Sequence, residues 1–212
     1  MIPELDLPVL AEAEVAVAGA GPAGVAAALA AARSGARVAL LEQTGCCGGM
    51  ATSGLVPVFI HISDRVHRVA SGICYELVSE MCRRMEVPAV DEIWQHIHPE
   101  VLKRVCDDKL AEAGVELLLA VKVADVIRSG GRIDALAVAT SRGLKKVTAS
   151  IFVDATGDAD LAAFAGHGCI EAPNALANWT LEYREGAVGL APNCSMAIVG
   201  CSTDPETIPP GI

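Results

Sequence analysis

Apolar and polar positions along the chain sort into short apolar runs and longer segments of helical spacing. Residues 15–18, Val-Ala-Val-Ala, form an apolar run of strand length, and Gly19-Ala-Gly21-Pro-Ala-Gly24 follows at once. The run predicts a buried strand, the glycines a tight turn, and Pro22 the first turn of a helix, where its missing N–H costs little. The alanine-rich stretch to Ser34 continues that helix and Gly35 ends it; residues 36–41, closing on Glu42, read as a second strand. Ile73, Leu77, Val78, Met81 and Cys82 then recur at helical spacing, as do Val101, Leu102, Val105 and Leu110 after Pro99. Residues 115–127 and 132–140, joined at Gly130-Gly131, read as strands, and 146–153 as a further strand completing a small meander. A buried strand ending at Asp154 enters a glycine turn and a new helix. Residues 1–13, with Pro3 and Pro8, read as an irregular lead-in; 179–184 and 197–201 read as short strands and 204–212 as irregular.

The first glycines each answer a physical need. Gly19 permits the sharp turn out of the strand, Gly21 lets a pyrophosphate approach the backbone, and Gly24 lets the helix lie close on the sheet. The unpaired N–H groups of the helix start favour an anion there without any Lys or Arg in the loop. Glu42 stands eighteen residues after Gly24, where the acidic partner of an adenosine ribose is expected at the end of the second strand. Its carboxylate would repel a 2′-phosphate, so the pattern favours FAD or NAD over NADP.

Charge and cysteine usage narrow the partners. With 16 basic and 26 acidic residues the formal charge is −10, which opposes nonspecific binding to nucleic acid or to anionic lipid. A chain of 212 residues, 52% hydrophobic, can bury one sizeable core. The N-terminus lacks a basic segment followed by an apolar one, and Arg33 interrupts the alanine-rich stretch, so the expectation is a soluble cytoplasmic protein. Eight cysteines include no C-x-x-C pair, which argues against a zinc ribbon or iron–sulfur cluster. Cys46 and Cys47 are vicinal, a geometry awkward for a disulfide. His61, His67, His96 and His98 read as surface or satisfied histidines, since spacing places no further ligands for a metal.

Two motifs give the chain a family resemblance. The glycine fingerprint, Glu42 and the run Gly48-Gly49-Met50-Ala51-Thr52-Ser53-Gly54 together resemble FAD-dependent oxidoreductases of the glutathione-reductase-like superfamily. Asp154-Ala155-Thr156-Gly157-Asp158 resembles that family's second nucleotide-proximal motif, although Asp158 alone would pass for a helix cap. The resemblance implies an α/β fold, a Rossmann-like FAD/NAD(P)-binding domain with a parallel sheet and a small β-meander, followed by the start of a second lobe. It implies FAD as cofactor, with Gly19, Gly21, Pro22, Ala23, Gly24, Glu42 and Gln43 at the nucleotide turn. Gly48, Gly49 and Met50 would pass against the flavin, Val123 would lie beside the adenine, and Ala155, Thr156, Gly157 and Asp158 would form the second turn.

On this reading residues 1–56 and 96–168 make the FAD-binding domain, 57–95 a helical insert or cap, and 169–212 the start of a substrate-binding lobe. Proteins resembling this one are usually longer, so a C-terminal half or second chain is expected to complete the flavin site. The implied function moves hydride or electrons between a small organic substrate and flavin; no catalytic residue is identified. Two alternatives stay open, an NAD-binding dehydrogenase and a non-catalytic nucleotide-binding subunit or fragment that needs a partner chain.

Overall fold

A computed structural model of the chain describes residues 7–56, 58–60, 62–88, 94–169 and the strands Asn174–Asn178, Leu181–Arg184, Ala187–Leu190 and Ala197–Cys201. It separates into two units, residues 1–168 and 169–212. In the first, β1 (Val9–Glu12), β2 (Val15–Ala18), α1 (Pro22–Arg33), β3 (Val38–Glu42), β4 (Val58–Ile60), α2 (Gly72–Arg84), β5 (Trp94–His96) and α3 (Pro99–Glu112) come first. They are followed by β6 (Glu116–Leu119), β7 (Lys122–Ser129), β8 (Arg132–Thr140), β9 (Gly143–Thr148), β10 (Ile151–Asp154) and α4 (Asp160–Phe164). The fold class is the expected one, α/β with a parallel sheet and an antiparallel meander.

The parallel sheet has the order β10-β2-β3-β6, with Val17 opposite both Val153 and Leu40, and Leu40 opposite Leu117. All of β2 and β3 is buried because each face has its own cover. Val15, Val17, Val38 and Leu40 belong to one apolar cluster, shared with α1, α2 and α3. Ala16, Ala18, Ala39 and Leu41 belong to another, shared with Val123, Val126, Leu136, Val138 and Val147 of the meander and with Leu161 of α4. Alternation along a strand sends successive side chains to opposite faces, so a run that is apolar at every position matches a sheet covered twice.

Helix α1 buries Gly24, Val25, Ala28 and Leu29; α2 buries Leu77, Val78, Met81 and Cys82; α3 buries Leu102, Val105, Cys106 and Leu110. Fully burying a leucine or methionine side chain of this kind stabilises by about 1.5–3 kcal/mol. Helix α2, from the segment read as an insert or cap, thus contributes to the same core as α1 and α3. Ion pairs lace the outer faces of the helices together: Arg33 with Glu76 at 2.7 Å, and Arg84 with both Glu80 at 2.8 Å and Asp108 at 2.7 Å. Arg83 and Arg84 hold the Glu80 carboxyl down, at about 2.

The structure refines the sequence reading at several points. Val9–Glu12 is a strand, paired in parallel with β9 through Ala11 and Val147; Pro8 stays outside, its carbonyl accepting from Lys146 N at 3.0 Å. An edge strand tolerates such a neighbour, since only one of its sides is hydrogen-bonded. Residues 146–153 are two strands, one in each sheet, with both Ser150 N and Ile151 N donating to Glu14 O where the chain crosses. Strand β10 is also not wholly buried, Ile151 being 57% exposed. The apolar stretch after Val115 likewise divides between the sheets at Ala120, whose φ is +55°.

In the second unit β11 (Asn174–Asn178) pairs antiparallel with β14 (Ala197–Cys201), and β12 (Leu181–Arg184) with β13 (Ala187–Leu190). Trp179 and residues 204–212 lie outside the described residues.

The tightest backbone approach is where α1 meets β2. A Cβ on Gly24 would stand 1.7 Å from the Gly19 carbonyl oxygen. Backbone cannot yield as a side chain does, so Gly24→Ala is expected to lower the stability of the folded protein by about 3 kcal/mol or more. Urea unfolding checks this, and a midpoint within error of wild type would refute it.

Candidate functional site

One cavity of about 520 Å³ opens along the end of the parallel sheet, within the range of small-molecule and cofactor sites. Its walls come from distant parts of the chain. Gly19, Gly21, Pro22 and Ala23 form one side; Glu42, Gln43 and Thr44 the next; Gly49, Met50, Ser53 and Gly54 a third; Val121, Lys122 and Val123 a fourth; and Ala155, Thr156, Gly157 and Asp158 a fifth. Thirteen of the fifteen residues singled out from sequence line this cavity. Gly24 and Gly48 do not line it.

The first turn is shaped by contacts that exclude side chains. Gly19 has φ +93°, and a Cβ there would lie 2.4 Å from the Ala155 carbonyl oxygen. Its N–H donates to Leu41 O at 2.8 Å. Gly21 has open space where its side chain would be, and that space belongs to the cavity. Val25 N–H closes a helical bond on Gly21 O at 2.9 Å, so the amides of Ala23 and Gly24 ahead of it have no partner inside the helix. These amides and the positive end of α1 offer an anion site.

Glu42 is 6% exposed, and both of its oxygens are held. Ala20 N–H donates to Oε2 at 2.8 Å and Thr44 N–H donates to Oε1 at 2.7 Å. A carboxylate has about four acceptor positions, so roughly two remain for hydroxyl donors. Beside it, Val121 N–H donates to Glu42 O and Ala120 N–H to Thr44 O, each at 2.9 Å, which lays the start of β7 and Val123 along the end of β3.

The second glycine loop sits on the first. Gly48 N–H donates to Ala20 O at 2.8 Å, and a Cβ on Gly49 would lie 2.9 Å from Gly21 Cα. Gly48 and Gly49 have φ of +102° and +52°, a backbone region that favours glycine.

At the third turn Ala155 N–H donates to Ala18 O and Gly157 has φ +92°. Asp158 does not cap α4, whose first residue is Asp160 and whose N-cap is Ala159 at φ +59°. Asp154 and Thr156 organise this turn instead. The Asp154 carboxylate accepts from Thr156 N, Thr156 Oγ1 and Ala162 N, and Thr156 Oγ1 accepts from Asp160 N. Asp158 is left to the cavity wall. Sequence reading missed Leu41, Thr44, Ser53, Gly54, Val121, Lys122 and Asp160 as lining residues; each adjoins a motif within two residues or lies inside the second loop's run.

The histidines and cysteines have local explanations. His98 Nδ1 accepts from Val101 N at the start of α3, and His67 pairs with Asp64 at the surface. His61 lies outside the described residues. Among the described residues no group of three His, Cys, Asp or Glu side chains is placed to hold a metal. Cys47 is fully buried in the helix-side core while Cys46 is partly exposed, with Sγ 3.1 Å from Ser53 Oγ. Burial pushes the Cys47 thiol well up and holds Cys106 at about 12.

Residues 14–175 match the FAD dependent oxidoreductase family. No curated protein sequence matches the chain. Among solved structures, THI4 of Thermovibrio ammonificans is 20% identical with a TM-score of 0.51, the alignment covering 72% of this chain and 61% of that one. A geranylgeranyl bacteriochlorophyll reductase-like protein of Thermoplasma acidophilum is 16% identical at TM-score 0.53, covering 74% and 42%. L-proline dehydrogenase of P. horikoshii is 16% identical at TM-score 0.54, covering 80% and 59%. The aligned region thus spans between 42% and 61% of those proteins. At such identities the likeness concerns the fold.

Two expectations follow from the geometry. Glu42→Gln puts an amide donor against one of two backbone N–H groups, so the folded state should lose about 1–3 kcal/mol, the cost of a buried donor without acceptor; an unchanged unfolding midpoint would contradict it. Iodoacetamide at pH 8 should label Cys46 and Cys169 in the native protein while Cys47 and Cys106 react only after denaturation. Peptide mass spectrometry reads both classes, and native labelling of Cys47 would overturn the assignment of that thiol to the core.

Proposed function

We propose, given that this chain belongs to the FAD dependent oxidoreductase family, that it holds FAD in the cavity at the sheet end and serves hydride or electron transfer with a small organic substrate. The observation that carries the reading is the convergence of three backbone turns on one cavity, with a buried acceptor-only carboxylate at one end. The donor set fits the group. Unpaired amides at the start of α1 suit a pyrophosphate, and Gly21 leaves room for it to approach. The remaining acceptor positions of Glu42 suit the two ribose hydroxyls and disfavour a 2′-phosphate.

When bound, the flavin supplies the redox chemistry, and the protein contributes binding, orientation and electrostatics. Glu42, Val121 and Val123 hold the adenosine end, where the start of β7 closes against the end of β3. The loop from Gly48 to Gly54 holds the other end. Its backbone crosses the first turn at Gly21, and Met50 and Ser53 of this loop would meet the flavin end of the cofactor. Asp158, free of a capping role, lines the cavity beside Thr156 and Gly157.

The absorption spectrum of the purified chain, with identification of any nucleotide released on denaturation, tests the reading. Bound FAD is expected. A colourless protein that takes up no added FAD would overturn it. Gly21→Ala places a methyl group in the cavity without touching protein atoms, so FAD affinity should fall about tenfold or more while the unfolding midpoint stays at the wild-type value.

A further inference from the structure

We propose that Thr52 is a positioning residue for the flavin-facing loop, acting through the backbone of Gly48 and Gly49. The proposal rests on the reading of the cavity as an FAD site. Thr52 does not line the cavity, and its side chain is wholly buried. Its Oγ1 lies 2.6 Å from Cys47 O and 3.4 Å from Gly49 O. A hydroxyl has one proton, and the shorter contact takes it.

Each part of this side chain constrains the loop. The hydroxyl ties the end of the loop back to Cys47, which is itself fixed in the helix-side core. The methyl group fills the place a side chain on residue 48 would take: a Cβ on Gly48 would stand 2.4 Å from Thr52 Cγ2. Thr52 N–H donates to Gly49 O at 3.1 Å, closing the short 3₁₀ turn Gly49–Ala51. The two left-handed glycines are thereby clamped from below, and Gly49 lines the cavity and lies against Gly21. Met50, Ser53 and Gly54 reach the cavity from the same clamped segment.

The nucleotide end is held by other bonds. Ala20 N–H to Glu42, Thr44 N–H to Glu42 and Val121 N–H to Glu42 O do not involve Thr52. The loop joins that end through Gly48 N–H to Ala20 O, so removing the Thr52 hydroxyl acts first on the loop and reaches the adenosine end only indirectly, through Ala20. ADP, which carries only the adenosine and phosphates, should not register the change, whereas FAD should.

Thr52→Val keeps the shape and the methyl group and removes the hydrogen bond. The affinities of wild type and variant for ADP and for FAD are measured by calorimetry, together with the visible spectrum of the bound flavin. Thr52→Val should leave ADP affinity within about twofold and weaken FAD about tenfold, the size of one lost buried hydrogen bond, with a shift in the flavin absorption bands. Thr52→Ser, which keeps the hydroxyl, should bind FAD within about threefold of wild type. Equal losses of ADP and FAD in Thr52→Val, or a Thr52→Ser variant as weak as Thr52→Val, would overturn the proposal. Where Thr52→Val does not fold, Thr52→Ala makes the same ADP-to-FAD comparison. A wild-type chain that binds ADP and not FAD would instead count against the cofactor reading itself.

Discussion

The architecture of this protein depends on backbone meeting backbone where no side chain fits. Gly24 lies against the Gly19 carbonyl, Gly19 against the Ala155 carbonyl, and Gly49 against Gly21 Cα. The first closes a single turn, whereas the other two join segments far apart in sequence, and Gly19, Ala155, Gly21 and Gly49 all border the same cavity. A site whose walls are main chain has its hydrogen-bonding groups fixed by the fold, because N–H and C=O directions follow from φ and ψ and not from rotamers. The parallel sheet, covered on both faces, supplies the rigidity that such contacts require.

Much of this was legible from sequence, and for definite reasons. The unbroken apolar runs of β2 and β3, the glycine spacing, and Glu42 at the end of the second strand are local signals, each with one physical meaning in its context. The helical spacing of α2 and α3 was equally plain, since Leu77, Val78, Met81 and Cys82, like Leu102, Val105 and Leu110, all face the same core.

What the sequence hid was set by distant partners. Val9–Glu12 becomes a strand because β9 offers an edge, a fact that lies more than a hundred residues away. The break between β9 and β10 has no glycine or proline to mark it; it exists because Glu14 O receives both Ser150 N and Ile151 N. Asp158 taken alone passes for the α4 cap because an acid stands there, but it is Asp154 and Thr156 that reach the helix's first amides, from the strand side. Thr52 looked like one polar residue among several in a loop, and its weight shows only once Gly48 and Cys47 are packed around it.

The buried carboxylate of Glu42 has one more consequence. Its two backbone donors are satisfied within the protein alone, so the group is already buried and oriented before any ligand arrives. Little ordering entropy is then left for association to overcome, and no minor conformer has to be selected at this end of the pocket. Recognition there should behave as rigid docking, with rates governed by encounter and escape.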